Sequence, residues 1–432
     1  MSGDISLPQR LRLKRFFDEA IHERRYWLPT AVITACFVVT AILIFRDSGV
    51  VPPHPMDQSF AGTADLRIGR SGGTWFFHYP TLEYSGGITS SLIAGLYKLI
   101  IPTSTETLNW HIRILGAFLW LGSALLLILR FVPTTATRVL ACLLVGTSGY
   151  QFIQPTSELF VGALLALFLL SSSQRWPYAV TAFFLAGFGL AKVEMVAAAL
   201  AGSLIWWIWE ARNHRAKAWM TLFWTGVWMG IFLLPAAIVA GNDPTSINRS
   251  FLCFKLSYVD LFNHHQFSGP LQLSKDLDIH AFADQVMAKR FPGADTVFEI
   301  ITKYPGLYAQ YLAVSAVHSL PVVFHALKFM ILPMALVLVG SRQLIGLGLP
   351  LSLLVAAAVL SLAPALMLTI FRIRYFIKLW PAFVALAAGG CDQLTWSKGM
   401  KSSAVLLWSC GLATIAIQLF FFQDMWMNSH YR

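Results

Sequence analysis

The sequence predicts an all-α, polytopic integral membrane protein of about eleven transmembrane helices. Three features predict it. Of 432 residues, 56% are hydrophobic and only 12% are charged, against roughly 25% charged in an ordinary soluble domain. The apolar residues fall in unbroken blocks of about 17 to 25, long enough to cross the hydrocarbon core as helices, and not in the short alternating runs of a membrane barrel. Lys and Arg, which give a formal charge of +11, are strung between those blocks. A nucleic-acid site would gather them in a patch interleaved with aromatics, so no nucleic-acid partner is expected; the spacing reads as membrane topology, with lipid as the neighbour.

Residues 1–27 carry Arg10, Arg12, Lys14, Arg15, Arg24 and Arg25, a basic segment retained in the cytoplasm. The apolar block 28–46 that follows is too long for the core of a signal peptide and reads as an uncleaved anchor. Residues 47–107 then lie outside, with 86–101 as a helix along the surface. Spans near 108–130, 138–153, 158–173, 177–191, 194–209 and 218–240 complete seven helices within 28–240. Their inner turns hold Arg130, Arg138, Arg175 and the cluster Arg212, His214, Arg215 and Lys217, as the positive-inside rule requires.

Residues 241–315 form a long outer segment in which Phe251, Tyr258, Phe262, Phe291 and Tyr308 sit among polar residues. That mixture suits a packed cap better than a disordered loop. Residues 316–432 supply the last spans, near 320–340, 345–369, 375–391 and 403–422, with Arg342, Lys398 and Lys401 inside. Arg372 and Arg374 fall on the outer side against the rule, which calls for an anionic partner there.

Ionisable groups at membrane depth or at helix ends are candidate functional groups. In the first outer loop these are Asp57, Asp65, Glu83, Arg67, Arg70 and His78. A carboxylate just beyond a helix end, beneath an apolar cap, can take a proton from an alcohol or amine, although loop charges are more often simply solvated. Glu158 opens a helix, where the macrodipole favours a carboxylate; a capping arrangement with Thr156 or Ser157 would serve it equally. Arg372 and Arg374, beside Tyr375 and Lys378, suit a lipid phosphate, because guanidinium groups grip phosphate oxygens as a planar fork. Snorkelling to head groups is the blander role for the same pair. Lys192 and Glu194 can pair with each other.

No metal site is indicated. The five cysteines have no CxxC spacing, His264 and His265 are adjacent, and His318 and His325 lack a third ligand. Nor is there a GxxxxGKS, HExxH or GxSxG motif, so nucleotide hydrolysis, zinc proteolysis and serine hydrolysis have no support.

The order of these features resembles the GT-C class of polyprenyl-phosphate-dependent membrane glycosyltransferases, which includes protein O-mannosyltransferases and lipid A aminoarabinose transferases. The similar stretches are Asp57, GRSGGTWFFHYPTLEY from Gly69 to Tyr84, Glu158, the Ala191-Lys192 step, KYPGLYAQYL from Lys303 to Leu312, and RIRYFIKLWPAF from Arg372 to Phe383. They depart from the class pattern at Gln58, where a second acidic residue is common, and at Glu158, where Asp is common. The resemblance implies an inverting transferase at the periplasmic face of a cytoplasmic membrane, moving a sugar from a polyprenyl-phosphate donor to a lipid, glycan or protein acceptor. It implies Asp57 as general base, Glu158 as its support, and Arg372, Arg374 and Lys192 on the donor phosphate, with His78, Glu83 and Tyr375 lining the substrate. A divalent cation is allowed by these motifs and not required. Two other readings share the composition: a flippase or transporter of lipid-linked sugars, and an O-antigen polymerase or ligase using a diphosphate-linked glycan.

Overall fold

The computed structural model describes residues 26–48, 67–71, 74–78, 97, 100–101, 105–150, 157–191, 195–214, 217–240, 246–263, 279–344, 346–368 and 374–420. Among them the chain is helical apart from one hairpin, as an all-α fold requires. The anchor is α1 (Trp27–Ser48). The hairpin pairs β1 (Arg67–Ser71) antiparallel with β2 (Thr74–His78) within residues 47–107, where the sequence reading had only a loop. Gly72 and Gly73 separate the two strands, and a Gly-Gly step is a strong two-residue hairpin connection.

The bundle continues with α2 (Thr105–Phe131), α3 (Thr135–Gly146), α4 (Ser157–Gln174), α5 (Tyr178–Leu190), α6 (Met195–Asn213) and α7 (Trp219–Ala240). Three helices follow in the expected cap: α8 (Ser246–Asn263), α9 (Ile279–Arg290) and α10 (Val297–Lys303). Next come α11 (Pro305–Leu327), a 3-10 turn over Lys328–Met330 and α12 (Ile331–Val339). The last elements are α13 (Gly348–Leu368), the single turn α14 (Arg374–Ile377), α15 (Trp380–Lys398) and α16 (Lys401–Phe420).

Among the described residues four stretches are both long and apolar enough to cross a membrane: Trp27–Ile44, His111–Phe131, Pro305–Val339 and Lys401–Phe420. This corrects the expected count of eleven. Five further apolar helices have a described apolar stretch of 10–17 residues; of these α3 and α5, with 12 and 13 residues, cover about 18 to 20 Å at 1.5 Å per residue, short of a core about 30 Å thick. The expected span 138–153 shows why: α3 stops at Gly146, and Gly149 with φ +73° turns the chain away. Within the expected segment 241–315, Pro305 opens α11 at a position where a missing N–H costs nothing.

Large apolar side chains on the rim, among them Val38, Phe223, Val317, Val359 and Leu412, are exposed, which is compatible with a lipid-facing surface. Inside, α15 runs through the centre. Its Gly389 lies against the Phe131 carbonyl and its Gly390 against the Val337 side chain, approaches too close for any Cβ.

The helices alternate, so the two ends of the bundle differ chemically. One end carries exposed Arg130, Arg175, Arg212, Lys217, Arg342 and Lys401. The other is roofed by the cap, which packs with the start of α11 around Phe254, Tyr258, Phe291, Ile300, Tyr308 and Tyr311. Tyr308 and Ser315 tie α11 to the end of α13 by donating to the carbonyls of Met367 and Leu366, each at 3.2 Å. On the cap's own helices, burial pushes the Tyr258 phenol up in pKa, with Arg290 acting in the opposite direction.

Candidate functional site

Seven charged side chains are buried among the described residues, and they divide between the two ends. At the basic end Arg138 donates to the carbonyls of Val132 (2.7 Å) and Leu129 (3.2 Å), closing the C-terminus of α2. Asp392 accepts from the Thr134 amide at 3.1 Å, the Thr134 hydroxyl at 2.8 Å and the Thr137 hydroxyl at 2.9 Å, tying the start of α3 to α15. Glu210 accepts from the Tyr178 hydroxyl at 3.0 Å. Each of these is accounted for by joining one helix to another.

The remaining four, Arg113, Glu158, Lys328 and Lys378, lie toward the cap. Glu158 occupies the first turn of α4 and is fully buried, so the macrodipole stabilises its carboxylate. One turn further, Gly162 packs where an added Cβ would lie 3.0 Å from Lys378 Cα and 2.9 Å from two ring atoms of Trp120. Trp120 in turn donates its indole N–H to the Ile377 carbonyl at 3.1 Å. The carboxylate of Glu158 is thereby set one helical turn from the point where α4 meets the Lys378 backbone.

Arg113 approaches from α2. It lies three residues before Gly116, which faces Leu159 and Phe160, the two residues after Glu158. Lys328 belongs to the same region through Tyr150. The Tyr150 hydroxyl donates to the Ala326 carbonyl at 2.8 Å, and its ring meets the Trp380 ring edge-on at 5.8 Å. Ala326 is two residues before Lys328, and Trp380 is two after Lys378. Tyr375 and Phe376 pack around Ala326 and complete the wall. The Lys378 ammonium stands 5.6 Å over the Tyr375 ring, near enough for a cation–π contribution.

Of the residues singled out from the sequence, Glu158, Tyr375 and Lys378 come together here. Asp57, Asp65, Glu83, Lys192 and Arg372 lie outside the described residues. Arg374 opens α14, immediately before Tyr375. His78 ends β2 in register with Arg67 of β1. Sequence reasoning overlooked Arg113 and Lys328 because both fell within blocks read as spans. A lone cation inside an apolar block was the available clue, since such groups are expensive in a membrane and are retained for function.

Burying a charge costs several kcal/mol unless something opposite compensates it. Among the described residues Arg113, Lys328 and Lys378 stand here with Glu158, donors of the kind that hold an anion, beside aromatic rings that suit an apolar or glycan body attached to it. Among the described residues no three His, Cys, Asp or Glu side chains are grouped as metal ligands. The chain matches no protein-family model, no curated protein and no solved structure.

Proposed function

We propose that this protein is an inverting glycosyltransferase of GT-C type, which uses a polyprenyl-phosphate-linked sugar at the outer face of a cytoplasmic membrane. One observation carries the reading: among the described residues the buried side chains Arg113, Glu158, Lys328 and Lys378 gather toward the aromatic cap, at the end opposite the exposed basic fringe. Positive residues stay on the cytoplasmic side, so that end faces out.

The chemistry follows from charge. An acceptor hydroxyl or amine attacks the anomeric carbon while the bond from that carbon to the phosphate oxygen breaks. The acceptor proton passes to Asp57, and the polyprenyl phosphate leaves with the bonding pair. Attack from the face opposite the leaving group inverts the centre. Arg372, Arg374 and Lys192, joined by Arg113 and Lys378, stabilise the negative charge that grows on the phosphate. Glu158 supports the base, and His78, Glu83 and Tyr375 contact the sugar or the acceptor.

A second reading, movement of a lipid-linked sugar across the membrane, is favoured by one feature. The 35-residue apolar stretch Pro305–Val339 is broken at Lys328–Met330, and the break carries a buried cation. Interrupted helices with charges are a transporter habit. A direct assay separates the two. Purified protein supplied with a panel of polyprenyl-phosphate sugars should release polyprenyl phosphate, and Asp57→Asn should slow release about 10²- to 10⁴-fold. Translocation of a fluorescent lipid-linked sugar in proteoliposomes, with no release from any donor, would replace the transferase by the transporter.

A further inference from the structure

At the basic end of the bundle the exposed charge has one sign. Among the described residues the carboxylates there are Glu210 and Asp392, and both are buried: Glu210 accepts from the Tyr178 hydroxyl, Asp392 from the hydroxyls of Thr134 and Thr137. Arg175, Arg212, Lys217 and Arg342 stand exposed. The cap end, by contrast, exposes Asp284 and Asp295 beside its cations.

Three of these cations belong to turns that close on the end of α6, which carries Arg212 in its last turn. Arg175 lies three residues before Tyr178, whose ring stacks on Trp206 at 5.9 Å and whose hydroxyl reaches Glu210 at 3.0 Å. Lys217 lies two before Trp219, whose ring is 5.5 Å from that of Trp207. Arg342 lies six before Gly348, where an added Cβ would stand 3.5 Å from the Trp209 ring.

Below Arg212 the helix presents an apolar ridge in steps of four: Ile208 is 38% exposed, Leu204 51% and Leu200 59%. Residues so spaced share one side of a helix. From Leu200 to Arg212 the ridge rises about 18 Å at 1.5 Å per residue, a little over half of a hydrocarbon core about 30 Å thick. It is therefore about one leaflet deep. The exposed indoles of Trp209 and Trp219 stand at its basic end, the level at which tryptophan meets head groups. Arg130 is equally exposed at the end of α2, but the residues one and two turns beneath it, Leu126, Leu127 and Ser123, are buried or half-buried.

We propose that the end of α6 is a seat for an anionic phospholipid, its phosphate held by Arg212 with Arg175, Lys217 and Arg342 around it, and an acyl chain laid along Ile208, Leu204 and Leu200. Charge complementarity selects the occupant, since cations on one face favour anionic over zwitterionic head groups, and the guanidinium fork fits phosphate oxygens. This seat lies at the opposite end from Glu158 and is independent of any transfer reaction.

Native mass spectrometry of the delipidated full-length protein tests it, with phosphatidylglycerol, phosphatidylcholine of the same acyl chains, and glycerol phosphate as probes. The tightest-bound phosphatidylglycerol should be held at least about tenfold more strongly than phosphatidylcholine, as several basic groups near one head group provide. Arg212→Gln should remove most of that preference with little change in thermal unfolding, because the side chain is exposed. Arg130→Gln should leave the preference intact, since no exposed ridge runs beneath it. Equal affinity for the two lipids, or a preference that survives Arg212→Gln, overturns the proposal. An equal loss in Arg130→Gln replaces the seat by a general effect of net charge and also overturns it. Glycerol phosphate binding as tightly as the lipid removes the ridge from the site. Cross-linking of two copies through Leu204→Cys, with no lipid retained, gives the face to a second copy of the chain and overturns it likewise.

Discussion

Replacing Gly162 by alanine is the sharpest test of the junction that sets Glu158 against Lys378. The new methyl would lie 2.9 Å from Cδ1 and Nε1 of Trp120 and 3.0 Å from Lys378 Cα. Carbon atoms in ordinary contact stand about 3.5 to 4.0 Å apart, so α4 and the Lys378 strap must separate by about 0.5 to 1 Å. Trp120 is fully buried and has no room to swing away. Overpacking of this kind costs about 1 to 3 kcal/mol. Stretching the 3.1 Å bond from Trp120 to the Ile377 carbonyl adds about 0.5 to 1.5 kcal/mol. Helix propensity returns about 1 kcal/mol in favour of alanine. The net expectation is a loss of about 1 to 3 kcal/mol, read by equilibrium unfolding in mixed micelles, together with weaker binding of a polyprenyl phosphate. Gly122→Ala is the internal control, because nothing lies within 4 Å of the Cβ it would gain; it should be neutral or stabilising. If the two variants unfold alike and bind alike, the close junction described here is wrong.

Three further outcomes are expected. Asp392→Ala removes all three hydrogen bonds that Thr134 and Thr137 make to the carboxylate. It should destabilise by about 2 to 4 kcal/mol, since bonds to a charged group and a helix cap go together, yet leave substrate affinity of the folded fraction unchanged, as titration against polyprenyl phosphate would show. Single cysteines at Phe298, which is 73% exposed on α10, and at Arg342 should react with an impermeant thiol reagent from opposite sides, in a background without native cysteines. Labelling of both from one side would refute the assigned orientation. Arg374→Ala should weaken polyprenyl-phosphate binding by about 1.5 to 3 kcal/mol, the range for hydrogen bonds to charged groups, and Arg374→Lys should recover only part of it because the planar fork is lost; unchanged affinity in the alanine variant would leave head-group anchoring as its role.

Helix positions were written plainly in the sequence wherever an apolar block met a polar stop. The expected span 218–240 is α7, Trp219–Ala240, and 345–369 is α13, Gly348–Leu368. Breaks were harder to read. Pro305 begins a helix and Pro321 is carried inside the same one, while the actual interruption at Lys328 has no proline at all. Proline's effect depends on whether its missing donor is needed, which the neighbouring turns decide. The site was legible only in part. Glu158 and Tyr375 stood out by type and position, whereas the contact of Gly162 with Trp120 and Lys378 joins residues more than two hundred positions apart. No local pattern announces such an approach. Arg113 and Lys328 were hidden by averaging, since one cation in a long apolar window scarcely lowers its hydrophobicity.

The helix α15 is gripped at three heights. Near its start the Trp380 indole donates to the Leu144 carbonyl at 3.3 Å, and below that Gly389 and Gly390 are wedged between Phe131 and Val337. At its lower end Asp392 is bolted to the first turn of α3. An axle fixed in this way cannot slide by a turn of 5.4 Å, the usual step of a helix ratchet, without shearing all three grips together. Around it α11 is tied to α13 more lightly, by the two hydrogen bonds of 3.2 Å from Tyr308 and Ser315 to the carbonyls of Met367 and Leu366. A rearrangement of this bundle therefore moves the elements around α15 and leaves the axle itself in place.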